Sequence, residues 1–295
     1  MSAREDLIAH LQTAASTTCR AWSVVRKDGQ IYGFTDHDED LIFDGMIFKA
    51  NTGLTAGALQ SSVGMAVSNS EVTGGFSDEA IREVDISAGR FDGAAVTNWL
   101  VNWAEPEQRT VRFKGNFGEI RYDAGTFTVE LRGLTEALNQ TAGRVYSNNC
   151  TAELGDRQCK FDLSAPGYSE QGTVTAVLEP GKYLISTGSN QAARWFDRGR
   201  AMVLTGEAEG LTASIKFDGQ KASQRQIDLW IDFGIAAVVG DVIRLETGCD
   251  KVSETCRTKF SNFLNFRGFP NVPSSDWATS YPVSSQRNDG GSRLK

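Results

Sequence analysis

The sequence predicts a mainly β protein with few short helices. Three observations carry that class. Asp-Gly turns separate short runs rich in β-branched and aromatic residues. Glycine is abundant (30) and proline scarce (6), with few apolar stripes of helical length. A second series of six strand-like runs lies between Tyr168 and Glu246. Alternating short runs between turn residues are the signature of antiparallel strands.

The first ordered element is an exception. Residues 2–15 (SAREDLIAHLQTAA) place Leu7, Ile8, Leu11 and Ala15 near helical spacing and predict a short helix. From Ala21, AWSVVRKDGQIYGFT reads as strand, Asp28-Gly29 turn, strand. LIFDGMIFKA (Leu41–Ala50) repeats the pattern around Asp44-Gly45. GMAVSNSEVTGGF continues as strand, 77–86 and 93–103 read as short helical or mixed pieces, and Val111–Leu134 holds two or three strands. Thr135–Gly143 predicts a brief helix. After Cys150 come GTVTAVLE, KYLIST, RAMVLTGEAEG, TASIKFDG, RQIDLWID and DVIRLET, enough for one small barrel or sandwich. The end, 270–295, is rich in Ser, Pro, Asn and Gly and reads as an extended tail.

A chain of 295 residues exceeds one small core. The expected division is a β-rich unit over 1–149, a four-cysteine unit over 150–269 with an inserted β-module at about 165–247, and the tail. Net charge is −7, all of it in residues 1–149, which carry 13 basic against 20 acidic residues; 150–295 carry 17 of each. No basic run offers the phosphate contacts that nucleic-acid or anionic-membrane binding needs. No apolar run approaches the roughly 20 residues of a membrane span. Met1–His10 lacks a secretory apolar core, so synthesis in the cytoplasm, with reduced thiols, is expected.

Five cysteines occur. Four form two local pairs, C-x8-C at Cys150 and Cys159 and C-x6-C at Cys249 and Cys256, with 89 residues between the pairs. A β-module set in a loop, its ends pinned by one four-thiolate centre, accounts for the arrangement. Four thiolates suit zinc or an iron–sulfur cluster. The spacings are wider than the tight turns of structural zinc sites, and clusters accept more varied spacing, but spacing alone leaves both open, as it does free buried thiols or two local disulfides. Lys160, Lys251, Arg257 and Lys259 lie nearby in sequence and could balance an anionic centre. Phe260, Phe263, Phe266 and Trp277 could shield it. The aromatic segment Asn262–Trp277 reads equally as simple packing or as a clasp over the thiols. Cys19 has no partner and reads as a buried inert thiol.

The stretch Asp36-His37-Asp38-Glu39-Asp40 has the residue types of a metal or acid–base site. It reads first as a solvated turn whose carboxylates accept backbone N–H groups. The sequence contains no G-x-S-x-G, G-x-G-x-x-G or P-loop pattern, and no catalytic constellation can be assembled.

Several segments together resemble the hub protein family of gene transfer agents and related alphaproteobacterial prophages. They are VVRKDGQIYGFTDHDEDLIFDG and GLTAGAL; FKGNFGEI, VELRGLTEALNQ and GRVYSNNC; and CTAELGDRQC, CDKVSETC and KFSNFLNFRGFPNVP. They span about 18–275. The cysteine pairs also resemble those of the tail tip protein L of lambda-like siphophages, which has a much shorter stretch between them. The resemblance implies a structural, non-enzymatic subunit of a phage-like tail tip or baseplate, seated between the distal tail protein ring and the central fibre or baseplate protein, in a trimeric ring. It implies a [4Fe–4S] cluster on Cys150, Cys159, Cys249 and Cys256, with 1–149 as the hub unit and 150–269 as the iron–sulfur unit. Two other readings stay open. One is a zinc-stapled β-protein that binds cell-envelope glycans through Trp99, Trp103, Trp195 or Trp230. The other is an iron–sulfur redox sensor.

Overall fold

The computed structural model describes residues 3–13, 15–50, 55–56, 69–75, 82–123, 126–133, 143–188, 191–221 and 224–272. Among these the chain is mainly β. A short helix α1 (Ala3–Leu11) precedes β1 (Thr18–Val25), β2 (Ile31–Thr35), the hairpin β3 (Leu41–Phe43) and β4 (Met46–Phe48), β5 (Thr55–Ala56) and β6 (Asn69–Gly75). Helix α2 (Glu83–Ser87) leads to β7 (Ala95–Asn102), β8 (Arg109–Asp123) and β9 (Thr126–Gly133). These strands form a seven-stranded sheet in the order β2-β1-β7-β8-β9-β6-β5, with β3-β4 as a separate ribbon.

The turn chemistry sets the hairpins. Asp44 and Gly45 both have positive φ (51° and 71°), as a two-residue turn closing the Phe43–Met46 pair requires. Strand β1 is buried on both faces. Cys19 and Ala21 pack under the β3–β4 ribbon with Phe43 and Phe48, while Val24 joins Phe34, Phe91, Val96 and Val129 on the other side. Helix α1 docks through fully buried Leu7 against β8.

The piece at 93–103, expected as helical or mixed, is strand β7, paired with β1 and β8. Its polar interruptions, Asn98 and Asn102, are buried and satisfied. Asn98 Nδ2 donates to Ala21 O, and Asn102 donates to Gln108 and accepts from Thr17. Tertiary partners thus override a broken apolar alternation. The expected helix at 77–86 is realised at its end as α2. The one expected at 135–143 lies almost wholly outside the described residues.

The second architecture is a closed barrel of β10 (Ser169–Glu179), β11 (Lys182–Thr187), β12 (Arg200–Val203), β13 (Thr212–Lys221), β14 (Gln224–Leu229) and β15 (Val242–Glu246), ordered β10-β11-β14-β13-β12-β15. The six expected strand runs are these six strands, and closure resolves the barrel-or-sandwich alternative. Val174, Ile185, Ile215, Ile227, Ile243 and Leu245 fill the interior. Within it Arg225 Nη1 donates to both carboxylate oxygens of Asp218 at 2.6 and 2.7 Å, and the guanidinium lies over the Phe196 ring. A charge pair taken so far from water persists only when its remaining groups are bonded; Arg225 Nη2 reaches Gln191 O, and Asp218 accepts from Phe196 N.

The barrel meets the N-terminal sheet at α2. Buried Asp85 takes Arg82 and Arg90, and Arg90 Nη2 continues to Glu207 O and Glu209 O on the β12–β13 turn, at 2.5 and 3.2 Å. Gly234 packs so closely on Ala88 that no side chain fits there.

Candidate metal centre

Cys150 and Cys159 lie on an irregular loop without long apolar runs, so its shape rests on side-chain acceptors. Asp156 supplies most of them. Its carboxylate accepts the N–H groups of Cys159 (2.6 Å), Gln158 (2.8 Å) and Glu153 (3.0 Å). Those donors, with a smaller contribution from the Lys251 charge, hold its carboxyl below the ordinary range. Cys249 and Cys256 flank the entry to the short helix α3 (Ser253–Thr258). There Asp250 turns the chain by accepting from Val252 N and Thr255 Oγ1. The two loops are tied by Cys150 N to Lys251 O (2.9 Å) and Lys251 Nζ to Ala152 O (2.5 Å). Lys160, Lys251 and Ser261, close to the thiols in sequence, are non-glycine residues with positive φ. Such backbone costs about 1 kcal/mol or more per residue and persists only where surroundings impose it.

The four predicted thiols converge. Cys150, Cys159, Cys249 and Cys256 line one enclosed pocket, walled by Phe260 and Phe266 and closed by Asn262 and Asn265. All five cysteines of the chain are unpaired thiols. Burial pushes the Cys256 thiol up to about 11, and charge on the other three cysteines would add to the rise. Burial raises Cys249 as well, against the pull of the Lys251 N–H and charge. Three sulfurs nevertheless receive N–H groups: Lys251 N to Cys249 Sγ (3.4 Å), Arg267 N to Cys150 Sγ (3.4 Å) and Asn262 Nδ2 to Cys159 Sγ (3.5 Å). Donors aimed at sulfur suit thiolates, and a metal centre is what keeps buried thiols deprotonated. Among the described residues no three His, Cys, Asp or Glu side chains are grouped so as to hold one metal ion.

Of the basic residues expected as counter-charges, Lys251 and Lys259 act on Cys249: the Lys251 charge pulls its thiol down, and Cys249 favours the Lys259 cation against the burial that lowers its pKa. Lys259 Nζ donates to Trp195 O (2.7 Å) and Gly248 O (3.0 Å) and lies over the Trp195 and Phe260 rings. Arg257 stacks on Phe263, and Lys160 is exposed. Of the expected aromatic shield, Phe260 and Phe266 are in place and Phe263 stacks behind Phe266. Trp277 lies outside the described residues. Phe161, Tyr168, Trp195 and Phe260 form a chain of ring contacts from the thiol loops to the barrel, and Tyr168 OH donates to Lys259 O. Asp156 and Asn262 are supporting residues that sequence reasoning passed over as such. An Asp three residues before Cys159 is the available signal for the first; Asn262 stood only as the first residue of an aromatic segment.

The acidic stretch is a structural turn. Asp36 accepts Arg20 N, Asp40 accepts Ala50 N, and His37 Nδ1 accepts Glu39 N while its ring packs on Trp103. Cys19 is buried, and desolvation pushes its thiol up to about 11. Trp99 packs edge-on against Phe43 and Phe48; Trp230 is 65% exposed on the barrel. Among the described residues no helix is long and apolar enough to cross a membrane.

The family model described as "Baseplate hub protein, N-terminal attachment domain" matches residues 4–162. A second, described as "Phage conserved hypothetical protein BR0599", matches 194–276. No curated protein matches the chain. Among solved structures, a chain of "Virion of native gene transfer agent (GTA) particle" superposes with a TM-score of 0.90 at 50% identity, over 98% of this chain and 99% of that one.

Proposed function

From the premise that the chain belongs to the baseplate hub family, which the match over residues 4–162 establishes, we propose that it is a structural hub subunit at the tail tip of a gene transfer agent or phage-like particle. The near full-length likeness to a chain of such a virion carries this reading. Membership of the family makes the chain a baseplate hub component of a particle. The chain links the distal tail protein ring to the central fibre or baseplate protein. Copies close a homotrimeric ring, and the subunit carries no reaction of its own.

We further propose that Cys150, Cys159, Cys249 and Cys256 hold a [4Fe–4S] cluster as a structural staple. The chemistry of the donor set supports it: four thiols at one pocket, three with N–H donors, and aromatic walls. A single tetrahedral zinc would draw the sulfurs to about 3.8 Å of one another, given Zn–S bonds of about 2.3 Å. In a [4Fe–4S] cluster the sulfurs stand further apart, because each iron takes one thiolate, and the metal assay below separates the two centres. When bound, such a group supplies four covalent ligations that close the 89-residue loop; by the disulfide analogy this removes on the order of 4–5 kcal/mol of unfolded-chain freedom.

The test is an absorption spectrum of anaerobically purified protein with iron and zinc assayed on the same sample. Brown protein whose broad visible band is lost in Cys150→Ser and Cys256→Ser supports the staple. Colourless protein with one zinc per chain moves the centre to zinc and leaves the hub reading standing. For the hub itself, co-purification with the distal tail ring protein is expected; a chain that ignores that ring and the central fibre protein in pull-downs sinks it.

A further inference from the structure

The three N–H donors at the sulfurs are not equivalent. Those of Lys251 and Arg267 are backbone groups, and backbone donors survive side-chain replacement. The third is a side chain. Asn262 Nδ2 lies 2.7 Å from Cys159 O and 3.5 Å from Cys159 Sγ. Its orientation is fixed by its neighbours, because Oδ1 accepts from Asn265 Nδ2 at 2.7 Å and a flipped amide would set oxygen against the Cys159 carbonyl. Its own N–H bonds Cys256 O at 2.9 Å. One residue therefore links the backbone of the last cysteine to the sulfur of the second, across the two pairs.

That link begins a strap. Beyond Asn262 the chain crosses the start of the first cysteine loop. Arg267 N reaches Cys150 Sγ, and Arg267 O accepts Thr151 Oγ1 and Arg144 Nη2. Gly268 lies against the Asn149 carbonyl, where a Cβ would be 2.7 Å away, and Phe269 N bonds Ser147 O.

We infer that Asn262 is a positioning residue for the metal centre, holding the Cys159 sulfur in place and withdrawing electron density from it through its amide N–H. The inference rests on the cluster reading above. A donor to a ligating sulfur stabilises the more negative, reduced state, so it raises the reduction potential and slows ligand loss.

The experiment uses the full chain, loaded anaerobically, as wild type, Asn262→Asp and Asn262→Leu. The Leu variant loses the donor without adding charge and so reads the hydrogen bond; the Asp variant keeps the shape but adds a negative charge, and its further drop reads that charge. Iron content, reduction potential by optical titration and the rate of iron release to a chelator are measured. The expected result is full loading, a lower potential in both variants with Asp lowest, and iron release about tenfold faster, as loss of one hydrogen bond to a charged acceptor implies. Asn262→Gln, if its longer arm reaches the sulfur, restores the potential. A loaded wild type whose potential and release rate are shared by Asn262→Leu overturns the inference and leaves the cluster reading intact. Wild-type protein that takes up no iron overturns both.

Discussion

A methyl group on Gly248 would run into the Asp197 carbonyl oxygen and the Arg198 backbone, so the residue before Cys249 admits no side chain. Gly248→Ala is expected to cost about 3 kcal/mol, as overpacking against fixed backbone does, measured by chemical denaturation of the metal-free protein. Asp156 works in the other direction, through charge. Its carboxyl is held below the ordinary range by N–H donors present only in the fold. Its contribution is therefore complete above the ordinary carboxylate pKa and is lost as pH falls through the depressed folded value. Melting temperature should fall on acidification over that window in the wild type, and the Asp156→Ala variant should start lower and lack that part of the slope. At this scale the four thiols were legible because cysteine is rare and the pairs are local. Asn262 was not, because the partners that give it meaning, Cys159 and Cys256, are assembled only by the fold.

Elements were easier to read where turn and pattern agree. Asp44-Gly45 foretold β3–β4, and six runs bounded by turn residues foretold the six strands of the second unit without deciding barrel from sandwich. Strand β7 was obscured by two asparagines that the sheet satisfies, and closure itself leaves no local mark, since pairing β12 with β15 joins strands some forty residues apart. The barrel also conceals a charge pair. Arg225 and Asp218 have side-chain exposures of 2% and 0%, so removing one strands the other. Arg225→Ala is expected to destabilise the barrel by about 3–5 kcal/mol, read by urea denaturation. Replacing both with a shape-matched apolar pair should recover most of the loss; a double variant as unstable as the single one would count against this account.

Among the described residues, sheet and barrel meet at α2, where Arg82 reaches Glu207 at 3.4 Å. Arg90 bridges Asp85 to the Glu207 and Glu209 carbonyls, and Gly234 seats on Ala88. Arg90→Ala should speed hydrogen exchange at 82–90 and 205–211 while the strands of sheet and barrel keep their protection, the sign of a loosened junction between intact parts. Unchanged exchange at both segments would mean that the thiol loops alone set the barrel's attitude.

The barrel's two ends are hydrogen-bonded neighbours. Ser169 pairs with Glu246, and Thr247 N bonds Tyr168 O. To the rest of the chain, six strands therefore occupy the footprint of a single hairpin turn. Evolution can trade such a cassette for a longer or shorter one at slight entropic expense, about 0.6 kcal/mol per doubling of length. A chain in which a brief Gly-Ser bridge replaces 169–246 should still gather its four thiols, and an engineer could graft a foreign payload at the same seam.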